Sequence, residues 1–293
     1  FQIFFGIFLC LIFFLATDCF LNSASRASGA ATVISCWGDS ITLGYAYHGT
    51  GQDYPRRLQK LLDAAYGSGS YTVINRGVNS YRADQVLAKT LTWLEQDNPN
   101  LVLLMIGTND MTHNITIEAA RDSVQGIINL VSGYVSSGEV QGIINSISGH
   151  INADGSTPRI IVSAIIPTLN SESWLMGLYN DDLGSHLAGR FSWFTSNWDD
   201  FYDSGSGLAK AWLMSDDLHP NADGYKVMAD NFFDAISSLP ENQPPDIPSP
   251  PSGPSSGDPG VSYSFTAVTA DPNDEDISYQ IDWGDVAQSD WSP

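Results

Sequence analysis

The chain has 293 residues, enough for one full-sized domain plus extras, and 43% of them are hydrophobic, enough for a sizeable core. Its 33 acidic residues against 12 basic ones give a formal net charge of -21. Such a surface repels phosphate backbones and anionic lipid, which excludes nucleic acid as a partner. The charges are scattered rather than blocked, which fits solubility outside the cell better than an acidic-tail function.

Residues 1–16 (FQIFFGIFLCLIFFLA) are almost wholly apolar. Small residues follow, with Ser25 and Ala27 at a small-x-small cleavage site, so 1–27 reads as a secretory signal; the alternative is an uncleaved N-terminal anchor. The run is short for a spanning helix, which needs about 20 apolar residues. The expectation is therefore a secreted protein with no stable membrane association once the signal is removed. Of three cysteines, Cys10 and Cys19 lie in or beside this segment. Cys36 alone remains, in an apolar run that marks a buried thiol rather than a nucleophile.

Over 32–239 short apolar runs alternate with helical periodicity. Thr32–Trp37 reads as a strand ended by Gly38. Tyr54, Leu58, Leu61, Leu62 and Ala65 recur at helical spacing behind Pro55. Tyr71–Val78 is the next strand, and Ala83–Gln96 one helix with Val86, Leu87, Leu91 and Leu94 apolar. Leu101–Ile106 and Arg159–Ile166 are continuous apolar strands, and Ile117–Tyr134 between them is helical. A helix near Ser171–Leu187 and a strand near Arg190–Thr195 are weaker readings. The last helix carries Tyr225, Met228, Phe232 and Ile236 on one face, with Asn221 as its cap. Continuous apolar strands alternating with helices predict an α/β fold: a parallel sheet covered on both faces.

Residues 240–260 form a Pro/Ser/Gly linker that cannot bury a core. After it the period becomes two: Val261, Tyr263 and Phe265 alternate, then Ile277, Tyr279, Ile281 and Trp283. This stretch, 261–293, resembles the start of a PKD/Ig-like β-sandwich module through DPNDEDISYQIDWGD, too short to close a sandwich of about 100 residues. Asp271, Asp274 and Asp276 read as a solvated acidic turn, with calcium binding the alternative.

Three short segments carry chemistry. Gly38-Asp39-Ser40 follows the first strand, where a strand-to-helix turn at the carboxyl edge of a parallel sheet aims a side chain into the ligand crevice. Asp216-Asp217-Leu218-His219-Pro220 places a carboxylate three residues before an imidazole. A serine hydroxyl is a weak nucleophile until an imidazole takes its proton and a carboxylate holds that ring. Gly107-Thr108-Asn109-Asp110 follows the third strand, where a carboxamide can donate to a developing oxyanion. Each segment alone is an ordinary turn or cap. Together they put serine, carboxamide and Asp-x-x-His at strand exits that share one edge.

With these residues in view, the chain from about Val33 to Ile236 resembles the SGNH (GDSL-type) hydrolases. WGDSITLGY matches the first block, NRGVNSYRA approximately the second, IGTND the third and DDLHPNADGY the last. The resemblance implies a flavodoxin-like three-layer α/β/α sandwich and ester hydrolysis through an acyl-enzyme. It implies Ser40 as nucleophile, His219 as base and Asp216 as its partner, with Asp217 the neighbouring candidate. The implied oxyanion donors are the N–H groups of Ser40 and Ser80 and the Asn109 carboxamide. Ser80 stands where the family carries glycine, so a need for positive φ there disfavours it; Gly77 offers a shifted alignment. No metal or cofactor is required.

The variant of the motifs looks most like the carbohydrate-esterase branch, so the implied substrate is a small acyl ester, above all an acetyl group on polysaccharide. Alternatives are a lysophospholipase, arylesterase or thioesterase on the same fold, or a non-catalytic exported surface or adhesion protein with a degenerate hydrolase domain. His48, His113, His150 and His186 lack metal-ligand spacing. Trp174, Trp193, Trp198 and Trp212 read as half-buried packing, with a sugar-stacking platform as the alternative. Asn114-Ile115-Thr116 is a glycosylation sequon.

Overall fold

The computed structural model describes residues 31–132, 158–188, 191–239, the pairs Leu11–Ile12 and Ile281–Asp282, and parts of 246–270. Ala27–Leu239 form one compact unit, and the remaining residues form a second. The bulk of segment 1–27, helix end 133–134, His150, Arg190 and the aspartates 271, 274 and 276 lie outside the described residues. Among the described residues no helix is long and apolar enough to cross a membrane.

Five parallel strands form the sheet of the larger unit: β1 (Thr32–Gly38), β2 (Tyr71–Gly77), β3 (Leu101–Met105), β4 (Arg159–Ser163) and β5 (Ser192–Phe194), in the spatial order β2-β1-β3-β4-β5. This is the flavodoxin-like order, whose direction of winding reverses between β1 and β3. Leu101, Val102, Leu103 and Leu104 of β3 are fully buried, as a strand covered on both faces requires.

On one face α2 (Tyr54–Tyr66) packs against the last helix, α9 (Ala222–Ser237); Tyr54 stacks on Phe232 with ring centres 4.8 Å apart. Asp53 caps α2 by accepting from Arg56 N–H, and Asn221 caps α9 by accepting from Asp223 and Gly224 N–H. The other face carries α3 (Ala83–Leu87), α4 (Thr90–Asp97), α6 (Ile117–Ser132) and α7 (Ser173–His186). The flavodoxin-like three-layer reading therefore holds.

The single helix expected over Ala83–Gln96 is two. The Thr90 hydroxyl donates to the Val86 carbonyl, and Lys89 N–H bonds the same oxygen. That acceptor is the one a continuing helix would give to Thr90 N–H, so the ladder breaks and α4 starts on a new axis. Leu91, expected on the apolar face, is left exposed, while Val86 and Leu94 stay buried.

A buried polar cluster locks the β1–β2 side. Trp37 Nε1–H donates to Ser35 Oγ at 2.7 Å, Ser35 Oγ–H donates to Asp97 at 2.7 Å, and Arg76 closes on the same carboxylate. Cys36 between them is fully buried, and burial pushes its thiol far up, which leaves it inert as a nucleophile.

In the smaller unit, Leu11–Ile12 pairs antiparallel with Ile281–Asp282. Part of the expected linker also pairs: Asp246, Ser249 and Ser252 N–H donate to the carbonyls of Ala270, Val268 and Thr266. Proline has no N–H to give, and donors every third residue suit the three-residue turn of a polyproline helix. So a proline-rich strip takes a strand partner without a regular ladder.

Candidate active site

At the end of β1 the chain turns at once into a one-turn helix, α1 (Ser40–Leu43). Asp39 caps it, its Oδ1 accepting from Ile41 N–H at 2.9 Å. Gly38 is needed for the close approach: a Cβ there would sit 2.4 Å from the Met105 carbonyl oxygen and 2.2 Å from Thr42 Oγ1. Ser40 thus begins a helix at the sheet edge, beside the exit of β3.

The loop before α9 brings the imidazole to it. Ser215 N–H donates to the His219 carbonyl, and Met214 bridges Pro220, forming a tight antiparallel loop. Inside it Asp216 Oδ1 accepts from Leu218 N–H at 2.8 Å and His219 N–H at 2.6 Å. The three-residue spacing lets the same carboxylate reach its own loop's imidazole: His219 Nδ1 lies 2.9 Å from Asp216 Oδ2, and its Nε2 lies 3.0 Å from Ser40 Oγ. A carboxylate on Nδ1 fixes the proton there, so Nε2 presents its lone pair to the serine hydroxyl. Burial raises the Asp216 carboxyl, but the Leu218 and His219 N–H groups and the imidazole outweigh it and hold the acid below the usual carboxylate range. Asp217 contributes its backbone carbonyl, which accepts from Leu169 N–H.

Asn109 sits in the short helix α5 (Thr108–Thr112) after β3. Gly107 before it has φ +131°, a conformation that side chains avoid, and a Cβ there would strike the Tyr179 ring. The Asn109 amide donates to the Tyr81 carbonyl at 2.9 Å and to Asp39 Oδ2 at 3.3 Å. The second contact is long for a hydrogen bond, so it is the one an oxyanion can displace. Ser80 has φ +60° in the turn closed by Tyr81 N–H on the Val78 carbonyl. The position does demand the left-handed region, and serine occupies it at a cost of about 1 kcal/mol or more. Ser80 is exposed at the mouth of the site.

Two neighbours escape the motif reading. Tyr45 lies flat on His219, ring centres 4.0 Å apart and planes 23° apart. It arrives there because Gly44 ends α1 in the left-handed region and Tyr45 N–H turns back onto the Ser40 carbonyl. Asp39 lies below the serine, fully buried. Burial pushes its carboxyl up to about 7, opposed by the Ile41 N–H and reinforced by Asp110. The signals were present, a tyrosine after the first block's glycine and an acid inside it, but no pattern distinguishes a ring partner from a surface tyrosine.

A serine, an imidazole and a carboxylate in line at the switch point of a doubly wound sheet define the serine-hydrolase class. Residues 36–227 match the GDSL-like lipase/acylhydrolase family; the chain belongs to that family and is a serine ester hydrolase. Among solved structures it is similar to a G-D-S-L lipolytic protein from Veillonella parvula (18% identity, TM-score 0.54, covering 71% of this chain and 100% of that one). It is similar also to LAE5, an alpha/beta hydrolase from a Lake Arreo metagenome (18%, 0.53, 72% and 98%). A third is a catalytic mutant of the acetylxylan esterase Axe2 from Geobacillus stearothermophilus (17%, 0.52, 72% and 96%). No curated protein sequence matches the chain.

Proposed function

We propose that the protein is a secreted esterase that removes short acyl groups, above all acetyl, from carbohydrate through a Ser40–His219–Asp216 relay. The observation that carries the reading is the 3.0 Å contact between Ser40 Oγ and His219 Nε2. In this mechanism His219 takes the hydroxyl proton as Ser40 Oγ attacks the ester carbonyl carbon. Negative charge gathers on the carbonyl oxygen, which draws the Asn109 amide off Asp39 and takes the N–H groups of Ser40 and Ser80 as further donors. The bond to the leaving alcohol breaks as His219 returns the proton to that oxygen. Water then attacks the acyl-enzyme, His219 again takes and returns the proton, and the free acid leaves with Ser40 restored.

The carbohydrate half of the reading rests on company: the acetylxylan esterase among similar structures, the apolar leader at 1–16 and the PKD-like pattern after 260. The test is a series of p-nitrophenyl esters of rising chain length, with Ser40→Ala beside the wild type. Acetate is expected as the preferred substrate, and Ser40→Ala is expected to lower kcat by about 10⁴-fold or more. A preference for long chains replaces the acetyl reading with the lipase-like one. Turnover unchanged by Ser40→Ala removes the relay.

A further inference from the structure

Two to three strands from β1, at the exits of β4 and β5, the sheet edge opens into a second groove of about 700 Å³. With strands about 4.8 Å apart it lies on the order of 10–14 Å from Ser40 along that edge. One wall is α7, whose Trp174, Gly177, Leu178, Asp181, Gly184 and Ser185 line it. That spacing puts all six on one helix face. The opposite wall is aromatic: Trp193 from β5, and Trp198 and Tyr202 from the α8 segment (Ser196–Phe201) and the residue after it. Trp174 is 64% exposed and Leu178 47% exposed, so the expectation of half-buried packing fails at this helix.

The groove is cut to admit these rings. A Cβ at Gly177 would lie 3.3 Å from the Trp198 ring, and one at Gly184 would lie 3.0 Å from Trp193 Nε1. Glycine is a poor residue for a helix interior, yet α7 carries one opposite each indole. Because the two glycines are seven residues apart, the indoles facing them are spaced by about 10 Å along the helix, the length of two linked pyranose rings. Trp198 and Tyr202 stack on each other, ring centres 5.1 Å apart and planes 19° from parallel, which fixes both rings in place. Among the described residues no side chain takes the Trp193 or Trp198 indole N–H, and both carboxylates of the groove, Asp181 and Asp199, are on the exposed surface. No described lysine or arginine lines it.

We infer that this groove binds a neutral oligosaccharide chain, separately from the Ser40 centre. Flat indoles meet the apolar C–H faces of sugar rings. Indole N–H groups, Ser185 and the two carboxylates then serve the ring hydroxyls as donors and acceptors. Acidic walls without a cation repel sulfated or uronic polymers. A quaternary ammonium cage needs rings that enclose a cation from several sides, whereas Trp198 and Tyr202 lie nearly parallel.

The groove does not depend on the esterase reading, and the experiment keeps them apart. Full-length Ser40→Ala protein is titrated with xylohexaose, cellohexaose and mannohexaose, followed by tryptophan fluorescence and calorimetry. At least one should bind, and adding Gly184→Ala or Trp174→Ala should weaken it at least fivefold. Trp174 is exposed, so Trp174→Ala spares the fold, and the melting temperature of Gly184→Ala reports whether Trp193 gives way to the added methyl. With Ser40 intact, both variants should hydrolyse p-nitrophenyl acetate at the wild-type rate. The inference is overturned if no hexasaccharide binds, if binding ignores both variants, or if choline binds in their place. Sugar binding by a protein inactive on p-nitrophenyl acetate sinks the esterase proposal alone; activity without sugar binding sinks the groove alone.

Discussion

The Ser40 corner and the α7 groove share one sheet edge and are made in opposite ways. The corner gathers residues from four short segments, two of them pinned by a carboxylate that accepts backbone N–H groups of its own turn: Asp39 from Ile41, and Asp216 from Leu218 and His219. The groove takes side chains from one continuous stretch, 164–207, and is held by ring packing against a helix surface. Catalysis tolerates little displacement and is secured by hydrogen bonds over short loops. A binding platform needs only flat area and can be secured by shape.

Variants can break or sharpen that contrast. After Ser40 itself, the largest effect is expected at Asn109: Asn109→Ala should lower kcat on p-nitrophenyl acetate by about 10²- to 10³-fold with little change in KM. An unchanged kcat would mean that the amide never leaves Asp39 and Tyr81.

Next is Asp39. Folding raises this acid, so the folded state keeps a proton the unfolded chain has lost. Stability therefore falls as pH rises from an unfolded pKa of about 4 toward the folded value of about 7. Asp39→Asn keeps the cap on Ile41 and should flatten much of the decline in Tm between pH 5 and 8. Burial also raises Asp110, which should leave a residual slope of the same sign. Melts that fall equally steeply in both proteins would clear Asp39.

Smaller still is Tyr45. The stacked Tyr45 ring helps hold the imidazole in line, a contact worth about 0.5–1 kcal/mol. Tyr45→Ala should thus cost roughly two- to fivefold in kcat, with Tyr45→Phe near wild type. Loss of activity in Tyr45→Phe would point instead to the phenol hydroxyl. The smallest effect is expected from Ser80→Gly, which relieves the positive φ and should raise stability by up to about 1 kcal/mol, measured by denaturant unfolding, with kcat retained. A drop in stability would show that the serine side chain repays its strain.

Much of this was legible in the sequence because it is local or periodic. Uninterrupted apolar runs such as Leu101–Ile106 announce strands buried on both faces. The Asp216–His219 spacing announces a closed turn, because a carboxylate reaches N–H groups two and three residues ahead. What stayed hidden depends on the direction of side chains. The break at Lys89 comes from a hydroxyl choosing a carbonyl, and Leu91 still looks apolar in the pattern. α1 and α5 are too short for periodicity to register. Tyr45 and the indoles of 193 and 198 acquire their neighbours only once distant elements pack. The two glycines of α7 read as weak points of a helix until the rings opposite them are seen.

The Asp216 carboxyl has consequences beyond orienting a ring. Its two oxygens divide the work: one folds the loop by gathering two amides, and the other faces the imidazole. An architecture of this kind has no separate scaffold to fall back on. An asparagine can still offer one oxygen to the amides, but it turns a donor toward the ring and so dictates the wrong proton position. An alanine forfeits both duties at once. Imidazole placement and loop shape therefore rest on a single side chain, and neither asparagine nor alanine preserves both.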